Sequence, residues 1–267
     1  MTCLFDPDLL FPKVFPMQRL DLVAELTDYF AGFISENKKN LFQQAAAERT
    51  RHVTVVMEDI ADPHDASAVI RSCECYGVQD FHVITRRRKF TVAPGVAVGA
   101  SKWVDLYKHA EQDDASPCLT ELKKAGYRVV GLSTRPDAIP LDAVDLDQKT
   151  ALVFGSEDLG LSDCVHASLD ATATLPVLGM GRKFNLSVAA ALCLYTISAR
   201  LRATNIPWRL TEAQRTVLLL SWYAKIPKRR HYLTERFLND RGLSWTDLTA
   251  CLPENVSTIL QHNGRWR

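Results

Sequence analysis

The feature that most constrains this fold is an alternation of short apolar runs with longer stretches of helical periodicity. Runs rich in β-branched residues predict strands at 53–57, 81–84, 127–132, 151–154 and 171–177. Helical spacing between and after them predicts helices at 66–76, 119–125 and 185–202. Strands that alternate with helices are typical of a parallel sheet covered on both faces. The sequence therefore predicts an α/β fold, a parallel sheet flanked by helices.

The two ends of the chain follow a different pattern from the middle. Apolar residues recur at helical spacing before residue 50, and further helices are predicted at 211–223 and 228–239. We therefore predict helical extensions at both ends of the sheet domain. The boundaries are 1–50 for an N-terminal helical extension, 51–204 for the α/β domain and 205–267 for a basic C-terminal helical extension.

Composition narrows the class of protein. The chain has 267 residues, of which 47% are hydrophobic, enough for a sizeable core. The formal net charge is only +1, so total charge does not indicate a nucleic-acid partner. Seven cysteines without a CxxC pair indicate reduced thiols and no metal site. With no signal-peptide pattern and no long apolar stretch, we expect a cytoplasmic protein that does not enter a membrane.

The segment 62–71 follows a predicted strand and opens a helix. Pro63 and Asp65 suit a turn and a helix N-cap. Helix N-termini present free amide donors that favour anions such as phosphate. Arg71 lies farther along the same helix, where a lone arginine is most often an ordinary surface residue. Alone, this segment is weak evidence for a site.

Two glycine-containing segments follow later strands. Gly155, Glu157 and Gly160 come directly after the strand at 151–154, where ligands of parallel sheets bind. The second segment, 175–189, places glycines on both sides of Met180 before a helix that begins near Asn185. Glycine allows a ligand to approach the backbone closely. A tight turn and a loop before a packed helix are the simpler interpretations of each segment taken alone.

Together, in this order, the three segments resemble the motifs of the SpoU branch of the SPOUT methyltransferases, and within it the tRNA guanosine-18 ribose methyltransferases. The first family motif, N-x-x-x-x-x-R, is matched from Asp65 to Arg71. The second is matched by Gly155-x-Glu157-x-x-Gly160. The third, S-L-N-x-S-x-A, falls on residues 183–189. The resemblance covers about 53–201.

The resemblance implies a deep trefoil knot, a homodimer, and methyl transfer from S-adenosyl-L-methionine to a ribose 2′-hydroxyl of tRNA at guanosine 18, without a metal. Arg71 would clamp the substrate phosphate and hydroxyl, while Glu157, Asn185 and Ser187 would order the motif loops. The expected cofactor contacts are Leu132, Gly155, Leu175, Met180 and Phe184.

Two departures from the family pattern matter for the charge of the site. Asp65 replaces the usual Asn, and Lys183 replaces the usual Ser. A new acid and a new base could compensate each other, with Asp65 paired to Arg71 or to Lys183. They could equally signal an altered substrate or lost activity.

Local charge supports RNA as the partner. Between residues 200 and 267 there are twelve Lys or Arg against five Asp or Glu. Clusters of this kind suit phosphate contacts, although solvated helix faces explain any single cluster. Two alternatives remain: a ribosomal RNA 2′-O-methyltransferase, and an inactive knotted RNA-binding protein. The predicted substrate contacts are Asp65, Lys183, Arg86, Arg87, Arg88, Lys228, Arg229 and Arg230.

Overall fold

The computed structural model describes residues 17–87, 90–110, 115–181 and 183–262. The chain divides into two compact units. Of the described residues, 50–208 belong to one unit, and 17–49 together with 209–262 belong to the other. The helices predicted as separate extensions at the two ends are therefore parts of one unit.

A seven-stranded sheet forms the centre of the first unit. Its strands are β1 (Val53–Glu58), β2 (Asp80–Thr85), β3 (Asp105–Ala110), β4 (Tyr127–Leu132), β5 (Ile139–Pro140), β6 (Lys149–Phe154) and β7 (Ala171–Thr174). The strand order is β3-β2-β1-β6-β4-β7-β5, and every neighbouring pair is parallel. Val55, for example, is in register with Phe81 on one side and with Leu152 on the other. The predicted parallel α/β sheet is confirmed.

Helices precede, connect and follow these strands. In chain order they are α1 (Met17–Ala31), α2 (Glu36–Ala47), α3 (Pro63–Tyr76), α4 (Pro94–Ala97), α5 (Ser116–Lys124), α6 (Asp163–Ser168), α7 (Leu186–Arg202), α8 (Glu212–Ala224), α9 (Arg230–Asn239), α10 (Trp245–Thr249) and α11 (Glu254–Gln261). No helix in the described ranges is long and apolar enough to cross a membrane.

The central strand β1 is buried along its whole length. Successive side chains of a strand point to opposite faces of a sheet. Accordingly, Val55 and Met57 pack in one hydrophobic cluster, whereas Val56 packs in another. This two-sided burial explains why apolar side chains occupy both faces of the strand instead of alternating with polar ones.

Two strands differ from the predictions. β7 ends at Thr174, whereas the sequence predicted a strand to residue 177. Pro176 explains the early end, because proline has no amide hydrogen for a sheet. β3 was not predicted; it lies at one end of the strand order and carries polar residues such as Lys108. Such a strand lacks the apolar run by which the others are found.

The second unit is helical. Phe30, Trp222 and Phe237 are fully buried within it. The guanidinium of Arg49 lies 5.1 Å from the ring centroid of Trp222. Helix α8 begins with a capping box, in which the side chain of Thr211 accepts a hydrogen bond from the amide of Gln214 and the Gln214 side chain accepts one in return.

Candidate active site

Four neighbouring strands end at the same edge of the sheet. β1, β6, β4 and β7 are consecutive in the strand order. The segments that follow them are therefore brought side by side, although they lie far apart in the sequence. The carboxyl edge of a parallel sheet is where such folds bind ligands. All three motif segments begin from this edge.

The first motif segment is set by the start of α3. Asp62, not Asp65, is the N-cap: its side chain accepts a hydrogen bond of 2.8 Å from the amide of His64, and Pro63 follows it. The predicted capping role of Asp65 is wrong. Asp65 lies in the first turn of the helix and is only 8% exposed. The cap thus leaves the Asp65 carboxylate available to a neighbouring loop.

Asn185 joins the three motif segments. Its side-chain amide nitrogen lies 3.3 Å from Oδ1 of Asp65 and 3.5 Å from Oε1 of Glu157. Its side-chain oxygen accepts hydrogen bonds from the amide and the hydroxyl of Ser187, at 3.0 and 2.6 Å. The same oxygen caps α7, as predicted for Asn185. One side chain therefore both starts the helix and connects two carboxylates.

Lys183 strengthens the same junction. Its ammonium group donates to the backbone carbonyl of Glu157. Neither of the two pairings proposed for Asp65 is present, because Asp65 forms no ion pair with any described residue and contacts Asn185 instead. Both departures from the family pattern are therefore built into the junction of the motif segments, although not as partners of each other.

Arg71 lies outside this junction. It is exposed on α3 and forms no hydrogen bond or ion pair with another residue in the described part of the chain. Six residues of helix separate it from Asp65, which puts the two side chains on different faces. A guanidinium without a protein partner keeps its donors for a ligand.

Gly155 is required by the closure of its own loop. A Cβ atom at this position would lie 2.1 Å from the carbonyl carbon of Gly160 and 2.3 Å from the amide nitrogen of Leu161. Ser156 and Gly160 exchange two backbone hydrogen bonds, and Gly160 has a φ of 70°. The close approach at Gly155 is thus to its own chain, so the turn by itself accounts for this glycine, and its role as a cofactor contact stays a prediction.

The expected cofactor residues provide apolar surface beside unused backbone groups. Leu132 and Leu175 are half-buried at the ends of β4 and β7, against the core. Met180 and Leu178 are almost fully exposed. Residues 175–181 donate no backbone hydrogen bond to another described residue. Apolar side chains and free peptide groups suit the adenine and ribose of S-adenosylmethionine, so the residues fit this cofactor. Phe184 is 38% exposed.

A cavity of about 390 Å³ lies beside the second motif segment. Glu58, which is 2% exposed, accepts hydrogen bonds from the amide and hydroxyl of Ser162, and Arg86 donates to it at 3.2 Å. Burial disfavours the charge of Arg86, but its hydrogen bond to Glu58 and the acidic groups around it together outweigh burial, and the pKa of Arg86 is raised. Arg86 therefore pairs inside the protein, which corrects its prediction as a phosphate contact. Arg87 is exposed.

Glu58 and Ser162 were not predicted as cavity residues from the sequence. A polar signal was present, because Glu58 at the end of the mostly apolar strand β1 is followed directly by a second acidic residue, Asp59. Asp59 has a φ of 49°, and its carboxylate accepts from the amides of Arg86 and Arg87. Such a turn could be found only by noticing charges at a strand end.

Two of the predicted C-terminal phosphate contacts are exposed, and one is not. Lys228 and Arg229 are exposed. Arg230 is 1% exposed and donates to the carbonyls of Ala224, Lys225 and His262. A buried guanidinium cannot reach a phosphate, so this prediction for Arg230 is wrong. Arg88 lies outside the described residues.

A buried parallel sheet with three motif loops joined at its carboxyl edge defines an α/β enzyme that binds its ligand beyond the strand ends. Comparison with known proteins identifies the kind of enzyme. Residues 52–195 match the profile of the SpoU rRNA Methylase family. The chain belongs to this family.

Similar proteins agree with this membership. The tRNA (guanosine(18)-2'-O)-methyltransferase of Borreliella burgdorferi is 35% identical over 82% of this chain and 99% of its own length. The enzyme of the same name from Escherichia coli K12 is 28% identical over 69% of this chain and 82% of its own. The chain is thus an RNA methyltransferase, and S-adenosylmethionine is the methyl donor of its family.

Two solved structures share the fold. The TrmH/SpoU tRNA modifying enzyme of A. aeolicus has a TM-score of 0.64 and 24% identity, covering 70% of this chain and 95% of that one. The SpoU methyltransferase AviRb of Streptomyces viridochromogenes, solved with AdoMet, has a TM-score of 0.52 and 20% identity, covering 61% and 62%.

Proposed function

We propose that this enzyme methylates the ribose 2′-hydroxyl of guanosine 18 in tRNA. The observation that carries the proposal is the junction of Asp65, Glu157 and Asn185 at the sheet edge. The names of the similar enzymes from Borreliella burgdorferi and Escherichia coli supply the nucleotide and the RNA. A tRNA substrate also supports a cytoplasmic location.

Each residue of the proposed site has a separate role in methyl transfer. The bound cofactor supplies a methyl group on a sulfonium, which needs no metal for its activation. Arg71, exposed and without a described partner, holds the substrate phosphate and polarises the 2′-hydroxyl. Asn185 and Lys183 hold the third motif segment against the second, and Asn185 also holds it against the first. Such positioning matters because in-line transfer tolerates little misalignment.

The junction also favours an active enzyme over an inactive RNA-binding protein. Asp65 and Lys183, the two departures from the family pattern, each make a hydrogen bond within the junction. A degenerate site would have no reason to keep these contacts. Ribosomal RNA remains the second candidate substrate, because the family description names it.

A knot and a dimer are further parts of the proposal. The knot is supported by the non-sequential strand order β6-β4-β7 and by the likeness to the A. aeolicus fold. A dimer is supported by α7, on which Val188, Leu192 and Tyr195 are 48%, 39% and 60% exposed at helical spacing. An apolar helix stripe of this kind is typical of a protein interface. We expect Leu192→Lys to shift the mass in solution from dimer to monomer, whereas Lys124→Ala should not.

Ribose methylation mapped by mass spectrometry tests the function. We expect the purified enzyme to methylate a tRNA transcript at guanosine 18, and to leave unmodified the same tRNA carrying 2′-deoxyguanosine there. Methylation of ribosomal RNA but not tRNA would support the second candidate. Binding of S-adenosylmethionine without methylation of either RNA would contradict both.

Arg71→Ala tests the assignment of the substrate side. We expect this variant to lose methyl transfer while its calorimetric affinity for S-adenosylmethionine is retained. Cys75→Ala is the matched control, since Cys75 is exposed on the same helix. Full turnover by Arg71→Ala would remove Arg71 from the mechanism.

A further inference from the structure

Three ligand-type side chains meet in the interior of the unit formed by residues 50–208. His82 lies on β2, His109 on β3 and Cys118 in the first turn of α5. Their ligating atoms all lie within 4.8 Å of one another. The three residues are 2%, 7% and 1% exposed. Two imidazoles and a thiol therefore share one small, dry volume.

We propose that His82, His109 and Cys118 form a binding site for a transition metal ion of borderline softness, with Zn²⁺ as the matching ion. Imidazole nitrogen and cysteine sulfur are the ligands that Zn²⁺ prefers in proteins. This site is separate from the residues of the candidate active site, and it departs from the expectation from cysteine spacing that the chain holds no metal.

The distances suit a tetrahedral ion. With Zn–N bonds of about 2.0–2.1 Å, two nitrogen ligands lie about 3.3 Å apart. Nδ1 of His82 is 3.1 Å from Nε2 of His109. A sulfur bound at about 2.3 Å would lie about 3.6 Å from each nitrogen, and Sγ of Cys118 lies within 4.8 Å of both, so it needs to move by about 1.2 Å at most. Side-chain rotation is sufficient for a movement of this size.

Metal binding requires a defined rearrangement of the protons on the three side chains. Without an ion, one of the two facing nitrogens donates its hydrogen to the other. On metal binding, that hydrogen moves to the other nitrogen of its own ring, and the Cys118 thiol releases its proton to solvent. Zn²⁺ then bonds to both nitrogens and to the thiolate.

The bound ion would fasten the edge of the sheet. β3 stands at one end of the strand order, and α5 is the next helix of the first unit beyond it. An ion held by β2, β3 and α5 links these three elements directly. The site therefore contributes to stability, and it takes no part in methyl transfer.

Metal titration of the intact protein tests the proposal, with Co²⁺ as a spectroscopic substitute for Zn²⁺. We expect one equivalent of Co²⁺ to give a thiolate-to-cobalt absorption band and the visible bands of a tetrahedral ion. Zn²⁺ should abolish these bands and raise Tm. Cys118→Ser should lose the charge-transfer band and the rise in Tm. Cys193→Ser, a change at another buried cysteine of the same unit, should keep both.

X-ray absorption on the unmodified protein keeps the test decisive if Cys118→Ser does not fold. We expect the zinc-loaded protein to show two imidazole nitrogens at about 2.0–2.1 Å and one sulfur at about 2.3 Å. Absence of a cobalt band and of a Tm shift in the unmodified protein would overturn the proposal. So would a zinc shell without sulfur, or a charge-transfer band that persists in Cys118→Ser. The His82–His109 hydrogen bond alone would then account for the cluster.

Discussion

The double role of Asn185 can be separated into its parts by three substitutions. As N-cap of α7, its side-chain oxygen accepts from the amides of Ser187 and Val188 at 3.0 and 3.4 Å. Loss of such a cap costs about 1 kcal/mol. As a bridge, its amide nitrogen faces Asp65 and Glu157. Asn185→Ala removes both roles, whereas Asn185→Ser and Asn185→Asp keep the cap and remove the bridge.

Of the three substitutions, Asn185→Asp disturbs the bridge most, because it places a third carboxylate beside those of Asp65 and Glu157. Two unit charges 3.3 Å apart repel by about 5 kcal/mol at an effective dielectric constant of about 20, and exposure of Glu157 reduces this. The new carboxyl group therefore either takes up a proton or moves the loop that carries Glu157. A displacement of about 1 Å at a reacting centre can cost about 10²-fold in rate.

We expect Asn185→Ser to unfold in urea within a few tenths of a kcal/mol of the parent protein, and Asn185→Ala to lose about 1 kcal/mol. Asn185→Asp should lose more than Asn185→Ala, because the proton uptake or loop movement that relieves its repulsion costs free energy of folding. Methyl transfer should fall by about 10²-fold in Asn185→Asp, and less in Asn185→Ser. The assay is single-turnover transfer of labelled methyl groups to a tRNA transcript. Full activity in Asn185→Asp, with stability unchanged, would refute the role of the amide as a bridge.

Three other substitutions follow from single contacts. Gly155→Ala should destabilise the protein by about 1–3 kcal/mol, because the new Cβ would overlap the backbone of its own loop. Thermal unfolding measures this loss. Gly95→Ala is the control and should show no such loss, because its Cβ would meet open space. Asp65→Asn keeps a side-chain oxygen for the Asn185 amide, so methyl transfer should change by only a few-fold; a 10²-fold loss would mean that the charge itself is required. Arg230→Met should lower the free energy of unfolding by about 2–4 kcal/mol in chemical denaturation, because buried carbonyls lose their donor. It should leave the salt dependence of tRNA affinity unchanged. Arg229→Ala should leave stability unchanged and reduce that salt slope by about 1; the reverse pattern would restore Arg230 as the phosphate contact.

The junction of the motif segments explains how a family pattern tolerates its two departures. Asp65 keeps the acceptor that the Asn185 amide requires, and Lys183 binds a backbone carbonyl, which makes no demand on the side chain of its partner. Substitutions that preserve the hydrogen-bond pattern can change the charge of a site without dismantling it. The changed charges at Asp65 and Lys183 then alter the electrostatic surroundings of the substrate.

Local patterns in the chain were sufficient for most of the fold. The position of β1 follows from a mostly apolar run rich in β-branched residues. The end of α3 follows from Gly77, which has a φ of 77°. The motif residues could be read in the same way, and so could the capping role of Asn185. These features depend on residues within one turn or one strand of each other, so periodicity and cap chemistry determine them.

Contacts between distant segments were decided only by the tertiary structure. Asn185 and Asp65 are 120 residues apart, and they meet because the segments that follow β1 and β7 leave the sheet at the same edge. The burial of Arg230 and the convergence of His82 with His109 likewise depend on packing. Charge and residue type are visible in a sequence, but whether a side chain faces solvent, a carbonyl or another ligand depends on which elements become neighbours.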